Sequence, residues 1–171
     1  MMHKYSFLLA MVLSLTLITG CGFSPVYGKK SLGGDAVPAA LRTIEVETIP
    51  DREGQFLRNE LIDRFYLSGA PINPAYKLYI EPINENRSEL DITVAADTTR
   101  AQLSQTTSFS LVDLSTNQSV LERSARSVAS FNVLGDEYAT RVSERNTRDN
   151  GLRELARQIE QQISLYFGAQ N

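Results

Sequence analysis

Along the chain the spacing of apolar positions changes period several times, and each change predicts an element. Leu41, Thr43 and Glu45 alternate with Arg42, Ile44, Val46 and Thr48 as far as Pro50. This is the twofold period of a short strand whose apolar face is Ile44 and Val46. From Asp51 the spacing lengthens. Leu57, Leu61, Ile62, Phe65 and Tyr66 recur at threes and fours, which predicts a helix capped by Asp51 and stopped by Gly69 and Pro71. Arg52, Arg58 and Arg64 lie mostly off this stripe and read as its solvated face. Alternation returns from Tyr76 to Glu81, breaks at Pro82 and resumes with Leu90, Ile92 and Val94 between Glu89, Asp91 and Thr93. One strand with a proline-marked interruption is expected. After a turn at Ala96-Asp97-Thr98, Leu103, Thr107, Phe109 and Leu111 share one parity, while Gln102, Ser104, Thr106, Ser108 and Ser110 make the other almost entirely hydroxyl and amide. Ser115-Thr116-Asn117 marks a second turn, from which Leu121, Ala125, Ala129, Phe131 and Val133 return on a shared face. The last element starts at Asp136 and keeps near-helical spacing through Leu152, Leu155, Ala156, Ile159, Ile163 and Tyr166, ending near Phe167-Gly168. Asp149-Asn150-Gly151 interrupts it. A glycine costs about 1 kcal/mol relative to alanine inside a helix, so a weakness or a break is expected there. The order is β-α-β-β-β-α, an α+β fold with two helices packed on one face of a four-stranded, mainly antiparallel sheet.

One apolar run lies outside this pattern. Phe7 to Ile18, relieved only by Ser14 and Thr16, follows Lys4 in the layout of an export signal. It falls short of the roughly 20 apolar residues that a spanning helix needs. Ile18-Thr19-Gly20-Cys21 resembles the lipobox cut by lipoprotein signal peptidase, with a branched residue three before the cysteine and small residues between. Residues 1–20 are therefore expected to be removed and Cys21 to carry diacylglyceryl and N-acyl (palmitate-type) chains. At about 0.8 kcal/mol per buried methylene these anchor the chain without a hydrophobic helix. Residues 21–40, with Lys29-Lys30, Gly33-Gly34 and Pro38, read as a lipidated tether, and residues 41–168 as a single domain. Gly22 stands where Gram-negative sorting signals that retain lipoproteins at the inner membrane have Asp, which favours the outer membrane.

Composition then narrows the chemistry. The chain has one histidine, one cysteine and no tryptophan. His3 leaves with the signal and Cys21 is taken by lipid. That excludes a Ser-His-Asp or Cys-His nucleophile, a Cys/His zinc site and a disulfide, and no metal or cofactor is expected. The net charge of −3 becomes more negative still when Lys4 is cut away, which argues against a nucleic-acid partner. Glu45, Glu47, Asp51 and Glu53 cluster in sequence as an acid/base pair would. A helix cap and solvated strand positions account for them, since nothing indicates a desolvated pocket, and the chain is expected not to be an enzyme.

The stretch Cys21-Gly22-Phe23-Ser24-Pro25-Val26-Tyr27-Gly28 directly behind the lipobox resembles the start of the LptE family of lipopolysaccharide-assembly lipoproteins in its alphaproteobacterial form. Thr99-Arg100, Phe109-Ser110-Leu111-Val112-Asp113, Ser130-Phe131-Asn132-Val133-Leu134, Tyr138-Ala139 and Leu152-Arg153-Glu154-Leu155-Ala156 resemble later blocks of that family in order and spacing. Asn150-Gly151 departs from the alanine-rich helix usual there. The resemblance implies an outer-membrane subunit of the lipopolysaccharide translocon, facing the periplasm and the barrel lumen. There it would plug the LptD β-barrel, assist its assembly and contact lipopolysaccharide. Phosphates call for arginine donors, and Arg100, Arg123 and Arg126 are the candidates; Arg123 and Arg126 have opposite strand parity. The alternative is a generic periplasm-facing lipoprotein module that binds another envelope protein through its sheet face or an edge strand.

Overall fold

The computed structural model describes residues 36–66, 69–92 and 98–170. Among them, three helices and five strands follow one another as α1 (Ala36–Leu41), β1 (Ile44–Val46), α2 (Asp51–Phe65), β2 (Tyr76–Ile80), β3 (Asn84–Ile92), β4 (Thr98–Asp113), β5 (Gln118–Asn132) and α3 (Glu137–Gly168). The fold is α+β, with helices packed on a mainly antiparallel sheet. Cys21, the lipobox and the block from Gly22 to Gly28 lie outside the described residues, as does most of the Ala96-Asp97-Thr98 turn. Two boundaries differ from the sequence reading. Ala36–Leu41 is a short helix in a stretch read as tether, and Leu41 closes that helix, buried against the core, instead of opening a strand.

The strand count rises from four to five because of Pro82. β4 pairs along its full length with β5, while its other edge is shared end to end by β2 and β3. Ile80 pairs with Phe109 and Asn84 with Thr106, so four steps on one side face three on β4. Pro82 has no N–H to offer a ladder, and the extra residue forms a bulge there. Two bonds bridge it: Glu81 N–H donates to the Ser108 carbonyl at 2.9 Å, and Thr107 Oγ1 donates to the Glu81 carbonyl at 2.7 Å. An added residue inverts side-chain parity. Before the bulge Leu78 and Ile80 face the helices; after it Glu85 and Arg87 do, and Leu90, expected on an apolar face, is half exposed. β1 adds to β2 in parallel and completes the sheet.

The main core fills one end of this sheet, called proximal below. Leu57, Leu61 and Phe65 of α2 and Leu155, Ile159 and Ile163 of α3 pack on Ile44, Leu78 and Leu111, all nearly inaccessible to water. Asp51 does not cap α2. It adopts φ 67°, and no side-chain cap bond is made at Pro50. Nor is the arginine face of α2 wholly solvated, because Arg64 Nη1 reaches Glu160 on α3 at 3.0 Å. α3 is properly capped: Asp136 Oδ1 accepts from Tyr138 N at 2.8 Å and from Ala139 N at 3.3 Å.

α3 runs unbroken through Gly151 for 32 residues, so the expected interruption is absent. Gly151 is buried where the helix touches the sheet. A Cβ at that position would stand 2.1 Å from Gln105 Oε1 and 3.1 Å from Ser127 Oγ. The missing side chain lets α3 sit directly on β4 and β5. Beyond this contact the inner face turns polar. Buried Gln105 donates to Glu85 Oε2 at 3.0 Å, and Arg148 of α3 binds both Glu85 oxygens through Nε at 2.9 Å and Glu144 through Nη2 at 2.8 Å. Those carboxylates hold the Arg148 guanidinium above its ordinary pKa, chiefly through the bond to Glu85. This distal half of the molecule consists of β3, the first half of β4, the end of β5 and the first half of α3.

Candidate functional site

Among the described residues, helices cover one face of the sheet and none covers the other. The strict alternation of β4 and β5, held by an unshifted register from Arg100↔Asn132 to Leu111↔Leu121, puts one parity on the core and the opposite parity on the open face. That open face carries Gln102, Ser104, Thr106, Ser108 and Ser110 of β4, flanked by Asn84 and Asn86 of β3 and by Ser124 and Ser130 of β5. It is the hydroxyl and amide surface expected from the sequence. Tyr79, 42% exposed, is its main aromatic. A shallow depression of about 650 Å³ opens beside Tyr79, with Glu81 and Glu122 on its walls.

The three candidate arginines do not converge. Arg100 and Arg126 lie on the open face, Arg100 opposite Asn132 and Arg126 opposite Thr106. Six residues along β4 separate these positions, roughly 20 Å at 3.3 Å per residue. Arg126 Nε donates to Ser104 Oγ at 3.3 Å. Arg123 has the parity of the helix-facing side, as its pairing with Phe109 requires, and its Nη1 donates to the Glu122 carbonyl at 2.8 Å on the edge of β5.

The sheet edges carry features that the sequence did not reveal. On the free edge of β1, the Tyr66 hydroxyl donates to the Ile44 carbonyl at 2.5 Å and accepts from Val46 N–H at 3.3 Å. On the free edge of β5, the Gln158 carboxamide accepts from Arg126 N–H at 3.2 Å and donates to the Arg126 carbonyl at 3.1 Å. Gln162 donates to the Ser124 carbonyl at 3.1 Å. Each side chain supplies what a neighbouring strand would. Gln158 is itself held by Glu154 at 2.8 Å; bonds from Arg157 first, then Gln158, lower the Glu154 carboxyl pKa to about 2. Glutamines spaced by four on a helix carry no sequence signal for this role, because the strand they meet is fixed only by the packing of α3.

Among the described residues, no group of three or more His, Cys, Asp or Glu side chains gathers in a form able to hold a metal, and no helix is long and apolar enough to cross a membrane. The arrangement is one of surfaces: a polar sheet face, two edges closed by side chains, and a remaining length of edge.

The α+β fold of the described residues is shared with solved lipoproteins. It is similar to a candidate lipoprotein from Caulobacter crescentus, with a TM-score of 0.61 and 20% identity over 78% of this chain and 97% of that one. Rare lipoprotein B from Shewanella oneidensis gives 0.59 and 10% over 75% and 98% of the two chains. A minor lipoprotein from Acinetobacter baumannii gives 0.57 and 19% over 71% and 90%. At these identities the likeness is one of fold. No protein-family model and no curated sequence matches the chain.

Proposed function

We propose that the chain is an outer-membrane lipoprotein, anchored through lipid on Cys21, that acts without catalysis as plug and assembly partner of the LptD β-barrel in lipopolysaccharide transport. The observation that carries this reading is the uncovered face of Gln, Ser, Thr and Asn side chains on a fold that solved lipoproteins share. A polar barrel wall offers the donors and acceptors that such a face needs, and a rigid sheet presents them without ordering loops. The lipobox and the Cys21 to Gly28 block support the anchor and the family-level partner. The domain itself needs no spanning helix, because the acyl chains hold it at the membrane.

Full-length chain expressed with LptD is expected to co-purify with it in detergent in equal amounts. Recovery of LptD alone would leave the second reading, a generic envelope binding module. For lipopolysaccharide contact, Arg100 and Arg126 are the candidates on the open face, roughly 20 Å apart by the strand spacing above and so suited to separate phosphates of a large ligand. Arg100→Glu is expected to weaken lipopolysaccharide binding, with the loss greatest at low salt; an unchanged affinity would assign that arginine a structural role.

A further inference from the structure

We infer that the distal length of β5, Val128 to Asn132, is where an extended segment of the barrel partner adds a strand to the sheet. The inference rests on the reading above for the identity of the partner and on the edge itself for the mode of binding.

In an antiparallel ladder alternate residues of an edge strand turn both N–H and C=O away from their neighbour. The two bonds from Arg126 to Gln158 show that Arg126 is one of these outward residues. The register between β4 and β5 is unbroken from there to Asn132, so Val128, Ser130 and Asn132 also point outward. The outward groups nearer the core are largely engaged: the Glu122 carbonyl by Arg123, the Ser124 carbonyl by Gln162, and both groups of Arg126 by Gln158. At Val128, Ser130 and Asn132 no such bond is made by any described residue. The β1 edge is closed by Tyr66.

The remaining edge, that of β3, bears the devices that discourage pairing: Glu85, Arg87 and Glu89 directed to the inner side, and two register shifts between Glu89 and Ile92. β5 has neither. From Ser127 to Asn132 it reads Ser-Val-Ala-Ser-Phe-Asn, with no charge, no proline and no bulge, and Val128 is 46% exposed. A regular, uncharged and open edge beside edges that are closed or guarded is the geometry of strand addition. The occupant that fits is an extended, uncharged backbone outside the barrel's own ladder, as a loop of the barrel that projects into its lumen provides.

Proline substitution isolates the edge. At an outward position it deletes only the outward N–H and leaves the ladder to β4 intact. Full-length chain and LptD are co-expressed and their complex titrated in detergent. Val128→Pro and Ser130→Pro are expected to weaken binding by about tenfold each, the effect of one lost hydrogen bond and a ring at the pairing edge. Glu89→Pro, the same deletion of an outward N–H on the guarded edge of β3 and off the open face, is expected to bind as wild type. If a proline variant fails to fold, benzoylphenylalanine in place of Val128 gives a second readout: cross-links to one contiguous LptD segment are expected. Wild-type binding by both distal proline variants, or cross-links from position 128 only to lipid or to a second copy of this chain, would overturn the inference and leave the barrel partnership standing. Failure of the wild-type chain itself to bind LptD would remove both.

Discussion

Tyr66 and Gln158 close two edges of one sheet with different chemistry, and the difference is testable. The Tyr66 hydroxyl has one hydrogen to give and lone pairs to accept with, enough for Ile44 C=O and Val46 N–H. Tyr66→Phe leaves both groups short of a partner in a half-buried seam and is expected to cost about 1–2 kcal/mol, measured by urea unfolding at neutral pH. Burial is the main cause that pushes the Tyr66 phenol above its ordinary pKa of 10.0. The folded state therefore holds the proton longer than the unfolded chain. Its contribution is complete below the unfolded pKa and is lost as pH rises through the folded value. Wild type is expected to lose stability above about pH 10 more steeply than Tyr66→Phe, in parallel unfolding curves across that range.

At the scale of the element, α3 shows why one residue type carries opposite meanings. Glycine inside a helix is a local cost, and from spacing alone Asp149-Asn150-Gly151 looks like a break. What keeps the helix continuous is the sheet beneath it, since any side chain at Gly151 would press on the buried Gln105 carboxamide. Gly151→Ala should gain about 1 kcal/mol of helix propensity and lose more to crowding, for a net destabilisation of about 1 kcal/mol. In a Gln105→Ala background the crowding is relieved, and the same substitution is expected to be neutral or stabilising. A double-mutant cycle by chemical denaturation reads the coupling directly; strict additivity would show that Gly151 and Gln105 do not constrain one another. β3 teaches the same lesson in a strand. Asn84 to Glu89 shows no apolar alternation, because its inner face meets Arg148 and the Gln105 carboxamide. Only its pairing with β4 makes it a strand.

The whole molecule is divided into halves of unequal cohesion. The proximal half holds the continuous apolar core between α2, α3 and the sheet, whereas the distal half buries Ala101, Leu103 and Phe131 and otherwise relies on the Glu85, Gln105, Arg148 and Glu144 network. Exposed Leu134 and Tyr138 lie at that end of the chain path. Local opening follows apolar burial. Amide exchange is therefore expected to be slower at Leu78, Leu111 and Ile159 than at Asn86, Ala129 and Glu144, by about two orders of magnitude if the halves open separately. Equal protection throughout would mean one cooperative unit. The proposed strand addition lies in the looser half, where a partner can complete an edge without disturbing the core.

The α+β class, the inward parity of β4 and β5, the turn at Ser115-Thr116-Asn117 and the hydroxyl face were all determined by the sequence alone, because side-chain period and turn chemistry are local and repeat with the backbone. The resemblance of Ile18-Thr19-Gly20-Cys21 to a lipobox likewise rests only on neighbours in the chain. Tertiary structure decided the rest: that Pro82 inverts the parity of β3, that Gly151 is a contact and not a break, that Arg100 and Arg126 share a face which Arg123 does not, and that Tyr66 and Gln158 stand in for missing strands. Each of these depends on which residues distant in sequence come within a few ångströms, and no periodicity within one element encodes the element that will lie against it.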